Sequence, residues 1–123
     1  MADGRAESVV AAYVAGWNTA DDAARRAVFE GCWADDGVYA DPATVMAGRD
    51  ELTAGCRRFA QRWPGALVEL VGGIAEHHGH ASFAWCVRDP DGTVLRAGID
   101  HAEFAPDGRI RRIVGFFGSP PWP

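Results

Sequence analysis

The chain has 123 residues, a formal net charge of −5 and a sequence pI near 5.2, and all twelve of its basic side chains are arginine. That balance weighs against nucleic-acid binding, which rests on neutralising phosphates with clustered Lys and Arg. The length fits one domain spanning 1–123, and 48% hydrophobic residues with five tryptophans are enough for a core of that size.

Cys32, Cys56 and Cys86 are odd in number, widely spaced and outside any CxxC or zinc-ligand pattern. Free thiols in a reducing cytoplasm are the simplest account. The opening MADGRAESVV has no apolar signal-peptide region and no span approaches membrane length, so the expectation is a soluble cytoplasmic protein without a membrane partner.

In chain order, residues 6–18 place Val10, Tyr13, Val14 and Trp17 on one face, the spacing of an amphipathic helix. Asn18 and Thr19 end it, and Asp21 or Asp22 caps a second helix over 22–33. Gly37, after Asp35 and Asp36, supplies a turn into a short strand over 37–40. Asp41 then sits at the strand's end, and Pro42 holds it in extended backbone. Asp-Pro is also a common turn signal, so Asp41 reads either as a turn residue or as a carboxylate at the mouth of a small domain. A third helix covers about 49–63, striped by Leu52, Cys56, Phe59 and Trp63, and Pro64-Gly65 stops it.

From residue 66 the texture turns to strands, over 66–76, 81–88, 93–104 and 109–117. Asp91-Gly92 and Asp107-Gly108 mark hairpins, and His78-Gly79 marks a weaker one. Three helices followed by a meander predict an α+β fold, with the helices packed on a curved, mainly antiparallel sheet. The tail over 119–123 reads as irregular.

Within AGIDHAEF (97–104), alternation places Gly98, Asp100, Ala102 and Phe104 on one face and Ile99, His101 and Glu103 on the other. Asp100 is the one polar residue of a small apolar face. If that face is buried, desolvation raises the Asp100 pKa, and a neutral carboxylic acid donates a hydrogen bond. If it faces outward, Asp100 is merely solvated. Tyr13 lies within the first helix's apolar stripe, where its hydroxyl needs a partner. His77, His78 and His80 straddle a turn and face opposite ways, and no carboxylate or cysteine completes a ligand set, so no metal is expected. No P-loop, Rossmann glycine pattern or nucleophile elbow appears, and no cofactor is expected.

Together, YVAGWN at Tyr13, WADDGVYADP (33–42), Gly48, WPG at Trp63, GIDHAEF, DGRI and GFFG (115–118) resemble the nuclear transport factor 2-like superfamily. The similarity is to its SnoaL-like and ketosteroid-isomerase-like branch, covers nearly the whole chain, and implies a cone-shaped α+β fold. It also implies roles at three positions. Asp41 falls on the general-base aspartate, and Tyr13 and a protonated Asp100 fall on the two donors of an oxyanion hole. The chain departs from ketosteroid isomerases at Trp33 and Cys56, where supporting tyrosines are expected. The implied chemistry is cofactor-independent proton transfer beside a carbonyl, serving an isomerisation or an aldol-type polyketide cyclisation of a small apolar carbonyl compound. Phe59, Trp63, Trp85, Phe104 and Phe116 are candidates to line an apolar cavity.

Two other readings stay open. Water addition, as in limonene-epoxide-hydrolase-like relatives, wants an Asp–Arg–Asp arrangement, for which Arg88 with Asp89 or Arg96 with Asp100 could serve. A non-catalytic binding or dimerisation module needs no such site. The resemblance also implies a homodimer through the sheet's outer face, where Phe83 and Val87 are the exposed candidates.

Overall fold

In a computed structural model, which describes residues 4–118, helix α1 (Arg5–Trp17) turns Val10, Tyr13 and Gly16 inward as its spacing requires. Its end is tied in two directions. Asn18 donates from Nδ2 to the Val68 carbonyl and accepts from the Val68 amide, both at 2.8 Å, which docks α1 on the third strand. Arg25, only 1% exposed, donates to the carbonyls of Gly16 and Thr19 and pairs with Asp22 at 2.9 Å. A buried guanidinium thus satisfies carbonyls that the end of a helix leaves open. Helix α2 (Asp22–Cys32) starts at Asp21, whose carboxylate accepts from the Ala24 amide at 2.9 Å. Helix α3 (Gly48–Arg62) follows later and turns Leu52 and Cys56 into the core.

Strand β1 (Trp33–Asp41) begins directly after α2, so Trp33 is its first residue rather than the last of a helix. Gly37 makes no turn out of a helix. It lies within β1, beside an irregularity between Trp33 and Val38, where a Cβ would sit 2.4 Å from the Trp33 indole nitrogen. Asp41 and Thr44 face each other across a tight turn into β2 (Thr44–Ala47), a strand that the sequence did not reveal. After α3 come β3 (Leu67–His77), β4 (His80–Arg88), β5 (Val94–Phe104) and β6 (Ile110–Phe117).

The six strands form one sheet in the order β2-β1-β6-β5-β4-β3. Only β1 and β6 run parallel, and every other neighbouring pair is antiparallel. This is the expected α+β architecture, with three helices on a mainly antiparallel sheet. The core lies between the helices and the sheet's inner face, where Phe29, Trp33, Leu52, Ile110 and Ile113 are fully buried.

Alternation decides the two faces of the sheet. Phe83 and Val87, expected outside, point inward and are each 3% exposed, because β4 buries its odd-numbered residues. The outer face instead carries an apolar row in register: Val71 opposite Ala84, Ala84 opposite Ile99, and Ile99 opposite Phe116. Phe116, expected to line a cavity, is therefore on the wrong face for it and 53% exposed. The tail over 119–123 lies outside the described residues. No helix among those described is long and apolar enough to cross a membrane.

Candidate functional site

Tyr39 and Asp41 are two apart on β1 and so share a face, and the Tyr39 hydroxyl donates to Asp41 Oδ2 at 2.7 Å. The other oxygen, Oδ1, accepts from the amides of Ala43 at 2.8 Å and Thr44 at 3.0 Å. Both readings of Asp41-Pro42 therefore hold. The carboxylate closes the β1–β2 turn with one oxygen and presents the other inward, fixed in orientation by three donors.

Asp100 lies in the middle of β5 and is 4% exposed. Burial pushes its carboxyl up to about 7, the Trp85 indole opposes this by donating to Oδ1 at 2.9 Å, and the charge of Asp41 adds to the rise. Two glycines make room for this pair. Gly115 stands opposite Asp100 on β6, where a Cβ would lie 2.6 Å from Asp100 Oδ1 and 3.7 Å from the Asp41 Cβ. Gly98 stands opposite Trp85, where a Cβ would lie 2.5 Å from the indole ring and 2.3 Å from the Phe116 carbonyl. The indole can cross β5 to reach Asp100 only because that Cβ is missing.

Tyr13 is 2% exposed, and burial holds its hydroxyl well above the usual tyrosine range, with the charge of Asp100 adding and a hydrogen bond with Trp17 opposing. It is a neutral donor across the physiological range. Its ring stacks on Trp33, with centroids 5.7 Å apart and planes at 17°. Trp33 thus offers Tyr13 a flat apolar surface, and its indole nitrogen finds no partner among the described residues. Cys56 is buried in the core, where burial raises its thiol. Tyr39 also stays neutral, kept so by burial first and then by its bond to Asp41.

Tyr13, Asp41 and Asp100 line one cavity, open at its mouth and walled largely by apolar side chains. Phe59, Trp63 and Trp85 line it as expected. Phe104 does not: it packs against the core at the far end of β5, past an irregularity between Glu103 and Phe104. Phe116 is replaced by its neighbour Phe117, which faces inward opposite Gly98.

Trp17, Tyr39, Arg96 and Phe117 complete a belt that the sequence reading missed. From Asp100 it runs through Trp85, Phe117, Arg96, Trp63, Phe59, Trp17 and Tyr39 to Asp41, each in contact with the next. Gly115 closes the belt between the two carboxylates. Period-two alternation from Asp41 pointed to Tyr39, and the four-residue step from Tyr13 pointed to Trp17.

The Asp–Arg–Asp arrangement for water addition does not assemble among the described residues. Arg96 stacks between Trp63 and Phe117 rather than against Asp100. Arg88 pairs with Glu69 at 2.9 Å, while Asp89 accepts from the amides of Asp91 and Thr93 in the following turn. His77 approaches His78, and His80 approaches His101 at 3.1 Å. No group of three or more His, Cys, Asp or Glu among the described residues is arranged to hold a metal ion.

The SnoaL-like domain family matches residues 10–113. Among solved structures, a SnoaL-like family protein of Agrobacterium tumefaciens, provisionally named an isomerase, is 29% identical with a TM-score of 0.88, over 94% of this chain and 98% of that one. A protein of unknown function with a cystatin-like fold from Methylobium petroleophilum is 22% identical, with a TM-score of 0.77 over 99% and 81% of the two chains. A provisionally named SnoaL-like polyketide cyclase of Jannaschia is 13% identical, with a TM-score of 0.72 over 92% and 85%. The last two establish likeness of fold alone. Among curated proteins none matches this chain. With the family match spanning most of the chain, and the helices, sheet and cavity disposed as described, the protein belongs to the SnoaL-like domain family.

Proposed function

We propose that the cavity binds a small, largely apolar carbonyl compound and moves a proton at the carbon beside the carbonyl, with no cofactor. Asp41 removes the proton through the oxygen that Tyr39 orients, and returns it at another carbon or leaves the carbanion to attack a second carbonyl. Tyr13 and the protonated form of Asp100 donate to the oxygen on which negative charge develops. The observation that carries this reading is one fixed carboxylate and two neutral donors on the same apolar-walled cavity. A carboxyl of raised pKa beside a second carboxyl held by hydrogen bonds is an arrangement suited to proton transfer. The names of the Agrobacterium and Jannaschia proteins fit the isomerase and cyclase forms of the reaction.

The test is turnover of a panel of β,γ-unsaturated and polyketide-like ketones, followed by ultraviolet absorbance. Asp41→Asn is expected to lower kcat by about a hundredfold or more, the usual worth of a positioned base. Unchanged turnover in that variant would refute the assignment.

We also propose that two copies pair through the outer face of the sheet, along the row of Val71, Ala84, Ile99 and Phe116. Exposed Val71 and Phe116, with half-buried Ala84 and Ile99 between them in register, support it. Sedimentation should give a dimer for the wild type and a folded monomer for Phe116→Glu. A dimer that survives this change removes the row from the interface.

A further inference from the structure

Arg96 is the one cation among the residues that line the cavity. It lies on the inner face of β5, in line with Gly98 and Asp100. Its guanidinium carbon stands 4.2 Å from the Phe117 ring centroid and 5.0 Å from that of Trp63. Arg26, Arg49, Arg57, Arg88 and Arg111 each meet a carboxylate. Arg96 has no ion pair and no side-chain hydrogen bond among the described residues. Rings against a guanidinium displace water and hold it still, yet leave its planar edge of five N–H donors open. A pre-positioned fork of that kind is suited to a planar anion, which it meets with two parallel hydrogen bonds.

We infer that Arg96 binds a carboxylate on the substrate, so that the ligand class is a keto acid with a flat apolar middle. This inference rests on the small-molecule reading above and names the substrate class for that site. Four steps along the strand lead from Arg96 to Asp100, about 13 Å between their Cα atoms. The ketone lies against Tyr13 and Asp100, the carboxylate lies against Arg96 at the other end, and the apolar body fills the aromatic belt between them. At the Tyr13–Asp100 end the acid group would meet the carboxyl of Asp41, whereas at Arg96 it meets a cation.

Calorimetric titration with 6-acetyl-2-naphthoate and its methyl ester tests this without requiring turnover. The acid is expected to bind wild type about tenfold or more tightly than the ester, the usual advantage of a charge-assisted pair. Arg96→Gln and Arg96→Met should both abolish that preference, with acid and ester then binding alike. Arg62→Gln, which alters the cation on Trp63 that does not line the cavity, should keep the preference. Equal affinities in wild type, a preference that survives in both Arg96 variants, loss of ester binding in both, or binding of neither probe would overturn the inference. Asp41→Asn should retain the acid preference. Acid preference without turnover of any ketone would sink the catalytic reading alone, and turnover of neutral ketones with equal affinities would sink only the keto-acid assignment.

Discussion

Asp100 and Gly115 face each other across the β5–β6 ladder, and the missing Cβ of Gly115 is the space that the Asp100 carboxyl occupies. The same point on β6 adjoins Asp41, so one glycine governs how closely the two carboxyls approach. Their proximity makes Asp41 contribute to the raised pKa of Asp100.

Gly115→Ala should therefore damage the site more than the fold. A Cβ 2.6 Å from Oδ1 displaces the carboxyl and weakens its bond from Trp85. Overpacking of this kind costs about 1–3 kcal/mol. The expected result is a protein that still unfolds cooperatively in urea, with kcat down roughly tenfold or more, since misplacing a catalytic group by a fraction of an ångström is enough for that. Full activity together with a lowered Tm would show that Asp100 position is irrelevant to the reaction.

Asp100 should also leave a mark on stability against pH. Its folded pKa of about 7 lies above the ordinary carboxylate value of 3.8, so between these values the folded state binds more protons than the unfolded chain. Stability from this group consequently falls as pH rises from about 4 to about 7, by on the order of 4 kcal/mol, and is flat above that window. Asp100→Asn keeps an acceptor for Trp85 and removes the titration. Urea unfolding from pH 4 to 8 should show wild type losing stability relative to the variant as pH rises, and parallel profiles would contradict the raised pKa. The proposed reaction should lose rate above pH 7 in wild type, as the donor proton is lost, while any residual activity of Asp100→Asn escapes that fall.

Arg25 is a structural cation with no part in the cavity. Arg25→Met keeps much of the side chain's length but removes the guanidinium donor from the Thr19 carbonyl and leaves the Gly16 carbonyl only the Thr19 amide at 3.3 Å. The expected cost is about 2–4 kcal/mol, from two lost charge-assisted hydrogen bonds to carbonyls and a lost pair with Asp22. Chemical denaturation reads it directly, and a change under 0.5 kcal/mol, the ordinary scatter of surface substitutions, would mean that the α1–α2 junction does not depend on this residue.

The helices and the β3–β6 meander were legible because each carries an unbroken period, ended by turn residues. The start of β1 and all of β2 were not. Trp33 continues the stripe of α2 by spacing alone, and Thr44–Ala47 is too short to display alternation. Asp100 was legible in its strand, since one polar residue among Gly98, Ala102 and Phe104 stands out. Phe83 and Val87 were put outside because a two-residue alternation has no origin of its own: it tells which residues share a face, not which face is inward. Trp85 and Arg96 depended on partners far along the chain. That Trp85 reaches Asp100 follows from Gly98 being small, a relation between strands that no single segment displays.

The parallel pairing of β1 with β6 sets an order of events in synthesis. Asp41 is translated in the first third of the chain, but β6, on which its strand pairs up to Ala40, arrives last of the six strands. An emerging chain can form α1, α2 and the β3–β4 hairpin while the cavity still has no wall between its two carboxyls. Cutting the chain before β6 should leave helices that fold locally and a ligand site that never closes, because contacts of the longest sequence separation form last.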